Sequence, residues 1–103
     1  MRIYISGPIT GDPGACWKFD QAAQIIADRG HEYINPARLA DVIPDAGWAY
    51  YMVVDLQMLR TADAILQLPG WENSRGARAE HQTALEHGLA EYDIETGEFR
   101  PLT

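Results

Sequence analysis

Two carboxylates stand where apolar residues are expected. Asp55 interrupts a stripe of Trp48, Tyr51, Met52, Leu56 and Leu59 at helical spacing, and Glu80 lies on a second stripe between Ala77 and Ala84. An ionised carboxylate on a core-facing stripe costs several kcal/mol unless it is paired or hydrogen-bonded. Acids placed this way are candidates for nucleophilic or acid–base work, because burial sets their proton affinity apart from that of surface acids. The plain alternatives are an ion pair from Asp55 to Arg60, Arg75 or Arg78 at the rim of the core, and a favourable helix-dipole position for Glu80.

The segment before Glu80 adds to the case. Pro69-Gly70-Trp71-Glu72-Asn73-Ser74-Arg75-Gly76-Ala77 joins a turn, an aromatic plate, a capping hydroxyl and a small-residue helix start. Ser74 is a good N-cap, and free N–H groups behind it would suit an anion; a plain cap, with Gly76 serving close packing, explains the same residues. Gly7-Pro8-Ile9-Thr10-Gly11 is a second phosphate-tolerant loop, but matches neither a Walker A nor a dinucleotide-binding fingerprint. Trp71 lies in a loop and is the better candidate to stack on a base or anchor an interface; Trp48 opens an apolar stripe and reads as core. Cys16 has no histidine placed beside it in sequence and reads as a small helix-start residue. His31, His81 and His87 form no metal-ligand spacing, so no metal and no cofactor is expected.

The elements that must position these groups are legible from period and punctuation. Arg2-Ile3-Tyr4-Ile5-Ser6 is β-prone and stops at Gly7-Pro8. A helix is predicted over 17–29, with Phe19, Ala22, Ala23 and Ile26 inward and Gly30 as its C-terminal cap. A short strand follows at 32–35, closed by Pro36. A helix from Trp48, a buried strand at 64–68 and a helix at 74–87 come next, the last with Ala77, Glu80, His81, Ala84 and Leu85 on one face and Gly88 as cap. Residues 89–92 suit a fourth strand, and the rest reads as an acidic turn or hairpin. Alternating strands and helices predict an α/β fold with a small, about four-stranded parallel sheet and helices on both faces. Ligands of such sheets sit beyond the carboxyl ends of the strands, where the loops here collect their glycine, proline and polar aromatic residues.

Bulk properties narrow the partners. The 103 residues suit a single domain spanning 1–103, and 47% hydrophobic with 22% charged residues argues against wholesale disorder. Eight basic against fifteen acidic residues give a net charge of −7, a field that repels duplex nucleic acid and anionic membranes. The single cysteine, the absence of a long apolar run and an N-terminus that enters a strand directly point to the cytoplasm.

Read together, Ile3-Tyr4-Ile5-Ser6-Gly7-Pro8-Ile9-Thr10-Gly11, Asn35-Pro36, Trp48 through Asp55, and Leu68 to Ala77 with Glu80 resemble the small phage and bacterial proteins of the DUF4406 family. These are related to nucleoside 2-deoxyribosyltransferases and 2′-deoxynucleoside 5′-monophosphate N-glycosidases. The resemblance runs from Arg2 to about Gly88 and leaves out the tail. It implies a flavodoxin/Rossmann-like three-layer domain, a nucleoside or nucleotide as small-molecule partner, and a homodimer or higher homo-oligomer.

By the same resemblance Glu80 is the nucleophile that attacks the anomeric carbon, Tyr4 orients it, and Asp55 contacts or protonates the base. Gly7, Pro8, Ile9, Trp71, Ser74, Arg75 and Gly76 fall on the substrate-binding loops. Ser74 stands where the monophosphate glycosidases bind the 5′-phosphate. The first loop departs from their Gly-Ser-Ile-Arg-Gly pattern, with Pro8 and Thr10 at the Ser and Arg positions, which removes one hydroxyl and one cation. The leading expectation is cleavage or transfer of an N-glycosidic bond through a glycosyl ester on Glu80. The alternatives are a non-catalytic module that sequesters a nucleotide, and an assembly role with loop tryptophans as anchors.

Overall fold

The computed structural model describes residues 1–95 and 98–101. Its sheet is built around β1 (Arg2–Ser6), whose last four residues are buried. A strand covered on both faces reads as a continuous apolar run, and Ile3, Tyr4 and Ile5 supply it. Five strands lie in the order β2-β1-β3-β4-β5, with β2 (Glu32–Ile34), β3 (Ala64–Gln67), β4 (Ala90–Glu95) and β5 (Glu98–Pro101). All neighbours run parallel except β4 and β5. The chain steps from β1 outward to β2, then returns across β1 to β3. The switch point of this doubly wound topology therefore falls between β1 and β3.

Strand alternation sorts the side chains into two cores. Ile3 and Ile5 of β1 and Ala64 and Leu66 of β3 face α1 (Ala15–Asp28), meeting Phe19, Ala22, Ala23 and Ile26. Tyr4 and Ile65 face the other way, toward Leu59 of α3 (Trp48–Leu59) and Ala84 of α4 (Arg75–Glu86). The same alternation puts Ser6 and Gln67, register partners at the strand ends, on the α3/α4 face. Helices thus cover both faces, as predicted. A 3-10 turn (Pro36–Arg38), capped by the Asn35 side chain, and the short α2 (Leu39–Val42) precede α3. Gly30 and Gly88 end α1 and α4 with φ of 79° and 68°, the left-handed values that favour glycine at a helix end.

The four parallel strands expected are present, and β5 adds a fifth, antiparallel to β4; residues 96–97 and 102–103 lie outside the described residues. Two expectations need correction. The stripe of α3 is not one buried face. Of its twelve residues only Asp55 and Leu59 are buried, and Trp48 is 40% exposed. The stripe still marks the inner side: Tyr51, Met52 and Leu56 are half-buried beside Asp55 and Leu59, whereas Tyr50, Val53 and Gln57 are exposed. On α4 the buried positions are Ala77, Glu80, Thr83 and Ala84, whereas Leu85 has rotated outward.

The loops leaving β1 and β3 lean on one another. A Cβ on Gly7 would lie 2.8 Å from Leu68 Cβ, and one on Gly70 would lie 3.5 Å from Pro8 Cγ. Leu68 is itself buried, so it cannot swing clear. Gly7→Ala is expected to lower stability by about 1–3 kcal/mol, read as a lower denaturant midpoint at unchanged slope.

Candidate active site

Position in α4 makes Glu80 what it is. Ser74 Oγ accepts from the Ala77 N–H (3.2 Å) and fixes where the helix begins, so its sixth residue meets β1. There Tyr4 Oη donates to Glu80 Oε2 and Ser6 Oγ donates to Oε1 at 2.7 Å. Both oxygens of a carboxylate that is only 5% exposed are thus held by hydroxyls of one strand. Tyr4 and Ser6 can share this task because residues i and i+2 of a strand point to the same face.

Asp55 approaches from α3. It is buried, and its Oδ1 has no hydrogen-bond partner among the described residues. The ion pair with Arg60, Arg75 or Arg78 is not formed: the Arg75 guanidinium lies over the Trp48 ring at 4.1 Å, and Arg78 bonds the Glu72 carbonyl.

Both acids hold protons far above the usual carboxylate range. Burial raises Glu80 to about 7, opposed by the hydrogen bonds from Tyr4 and Ser6 and reinforced by the charge of Asp55. Burial alone raises Asp55 to about 7. Tyr4 is pushed well above its ordinary value, first by burial, then by the nearby charges of Glu80 and Asp55. The two carboxyls titrate as a coupled pair, but their surroundings are unequal. Glu80 has two donors that stabilise its anion, whereas among the described residues no hydrogen bond reaches Asp55 Oδ1. With both values near 7, the pair is partly protonated at neutral pH.

The structure therefore brings Tyr4, Asp55 and Glu80 together and adds Ser6. Sequence reasoning passed over Ser6 as a strand end, although its place two residues after Tyr4 was the available signal. The loop residues are placed differently. Gly7 is buried against Leu68, and Pro8 and Ile9 follow it outward, Ile9 being 38% exposed. Ser74 serves as the helix cap. Gly76 lets α3 approach α4, since a Cβ there would stand 3.2 Å from Met52 Sδ and 3.7 Å from Trp48 Nε1. Trp48 is accordingly a rim residue under Arg75 rather than core. Trp71 stacks on the His81 ring, with centroids 4.6 Å apart.

Two open grooves lie elsewhere, and their charges are already matched. One, at the opposite end of the sheet, holds Arg2 against Glu32 (3.1 Å) and the Arg2 N–H against Asp63 (2.8 Å). The other, along α1 and β2, holds Arg38 paired with Asp20. Among the described residues no three His, Cys, Asp or Glu side chains converge as a metal site, and no helix is long and apolar enough to cross a membrane.

Comparison with known proteins bears on the family and the fold. Residues 1–92 match the model of a family described as a domain of unknown function, DUF4406. A solved structure of a 2-deoxyribosyltransferase from the psychrotolerant bacterium Bacillus psychrosaccharolyticus superposes with a TM-score of 0.70 at 18% identity, over 88% of this chain and 69% of that one. That protein is described as a biocatalyst for the synthesis of antiviral and antitumoral nucleosides. At this identity the likeness is one of fold. No curated protein matches the chain.

The raised proton affinity of Glu80 has a stability consequence. Between its ordinary value of 4.5 and about 7 the folded state binds more protons than the unfolded state, so this group's contribution falls as pH rises through that window. At about 1.4 kcal/mol per unit the effect is on the order of 3 kcal/mol. Glu80→Gln is expected to match the parent below pH about 4 and to exceed it in stability above pH about 7, as read by denaturant titrations across pH.

Proposed function

This chain belongs to the DUF4406 family, and we propose that it cleaves or transfers the N-glycosidic bond of a 2′-deoxynucleoside or its 5′-monophosphate. The observation that carries this reading is a buried carboxylate held by two hydroxyls, with a second, unpartnered carboxyl from the facing helix. The shared fold with a 2-deoxyribosyltransferase supports it.

In the first step a Glu80 oxygen bonds the anomeric carbon as the bond to the base nitrogen breaks. Asp55 gives its proton to the departing base, which keeps the leaving group neutral. In the second step water or a second base attacks the same carbon, returns its proton to Asp55 and frees Glu80. Tyr4 and Ser6 hold Glu80 in one rotamer throughout, so it meets the sugar without reorganisation.

A monophosphate is the favoured substrate. Ser74 Oγ accepts from the Ala77 N–H and retains its own O–H to donate. Beside it, the Arg75 guanidinium is held by the Trp48 ring rather than by a carboxylate. Both stand at the start of α4, where a phosphate meets free N–H groups and the helix dipole.

Chromatography of reactions with deoxynucleosides and their 5′-monophosphates tests this reading. Free base should appear, with a narrow bell-shaped rate profile centred near neutrality because both acids hold their protons to about 7. Glu80→Ala should lower turnover by about 10³-fold or more. No base from any substrate, with a nucleotide still raising the melting temperature, would replace catalysis by sequestration.

A second copy of the chain is the proposed partner of α3. Apart from Asp55 this helix carries no charge, yet Trp48, Tyr50 and Val53 are 40, 48 and 63% exposed. A helix apolar on all sides is normally covered, and two-fold pairing is the commonest way. Light scattering should give a dimer for the parent chain and a monomer for Val53→Glu.

A further inference from the structure

Glu80 has a neighbour that its chemistry does not use. His81 follows it on α4, so the two side chains leave the helix about 100° apart. Glu80 turns to β1; His81 turns to β3 and β4. Its Nδ1 lies 2.6 Å from Oε1 of Glu91, a buried β4 carboxylate with no other partner among the described residues, and 3.4 Å from Nε2 of Gln67 on β3. The contact is a close approach of ring nitrogen and carboxylate oxygen, and the Gln67 contact is the longer of the two. The ring face packs on Trp71, in the 3-10 turn (Trp71–Asn73) that leads to the Ser74 cap.

We propose that His81 is a positioning residue for Glu80: anchored to Glu91 and Trp71, it sets the rotation of α4 that aims the carboxylate at Tyr4 and Ser6. The helix is then fastened to the sheet on both flanks, through Glu80 to β1 and through His81 to β4. The stack on Trp71 fixes the incoming loop to the same point. A buried polar contact adds little stability over an apolar pair of similar volume, and the geometric register it imposes is the better-attested use.

The inference rests on the glycosidase reading for its kinetics but has a readout of its own. His81→Phe keeps the stack but leaves Glu91 buried and unpaired; a His81→Phe, Glu91→Leu double variant removes that charge and guards against simple unfolding. His81→Asn keeps a donor at the Nδ1 position. Base release from a 2′-deoxynucleoside 5′-monophosphate and the downfield proton resonance of the Tyr4 hydroxyl, assigned by its loss in Tyr4→Phe, are followed in each.

The double variant should lose about 10–100-fold in kcat with KM within about threefold, as expected for a reacting group displaced by up to about 1 Å. The Tyr4 resonance should shift in the double variant, and His81→Asn should return both readouts toward the parent. A folded double variant with parental kcat and an unmoved resonance would overturn the proposal. If the parent itself releases no base, the glycosidase reading fails alone: the resonance then decides, its shift in the double variant supporting the anchor and its constancy refuting it.

Discussion

The structure turns on a carboxylate buried without a cation. Among the described residues Glu80 is held by two hydroxyls and no cation, and Asp55 Oδ1 beside it has no hydrogen-bond partner. An arginine within reach would neutralise the pair and drop both proton affinities to the ordinary range. Everything else follows from keeping that environment dry and neutral. β1 must lie inside the sheet with α3 and α4 over one face, because Tyr4 and Ser6 are buried on that same face. α4 must start at Ser74, because a shift of one residue would turn Glu80 some 100° from β1. Gly76 must lack a side chain, because α3 has to come close enough to bring Asp55 alongside.

Much of this was legible in the sequence, and the reason is the binary pattern. Asp55 and Glu80 announced themselves by breaking apolar stripes, and alternating strand and helix periods gave the parallel sheet. What stayed hidden depends on register between distant segments. Ser6 looks like the frayed end of a strand until its alignment with Gln67 places it over α4. The His81–Glu91 contact joins a helix to a strand that neither period nor spacing connects. On α3 only Trp48 departs from the stripe, because it lies at the exposed rim under Arg75. The tail reads as an acidic turn or hairpin, and β5 does pair antiparallel with β4.

The glycines show how one residue type supports two readings. In sequence, Gly7 and Gly76 sit in loops that would suit a phosphate, where a bare backbone approaches a ligand. In space each has a packing reason: Gly7 touches Leu68 and Gly76 touches Met52. The two roles are compatible, because loops pressed together at the switch point define the same rim that a ligand would cross. Trp48 and Arg75 belong to that rim too, the indole holding the guanidinium by its face and sparing it a carboxylate partner.

The sheet's two margins bear on how copies of the chain can meet. An uncovered strand is a template for further strands, and long flat ones lead to fibres. Here β2 offers only three residues, and β5 carries Pro101, which has no N–H to give a neighbour. Neither margin invites lateral growth. The contact proposed for α3 would instead join copies through the helical face, where a two-fold pairing closes on itself and stops.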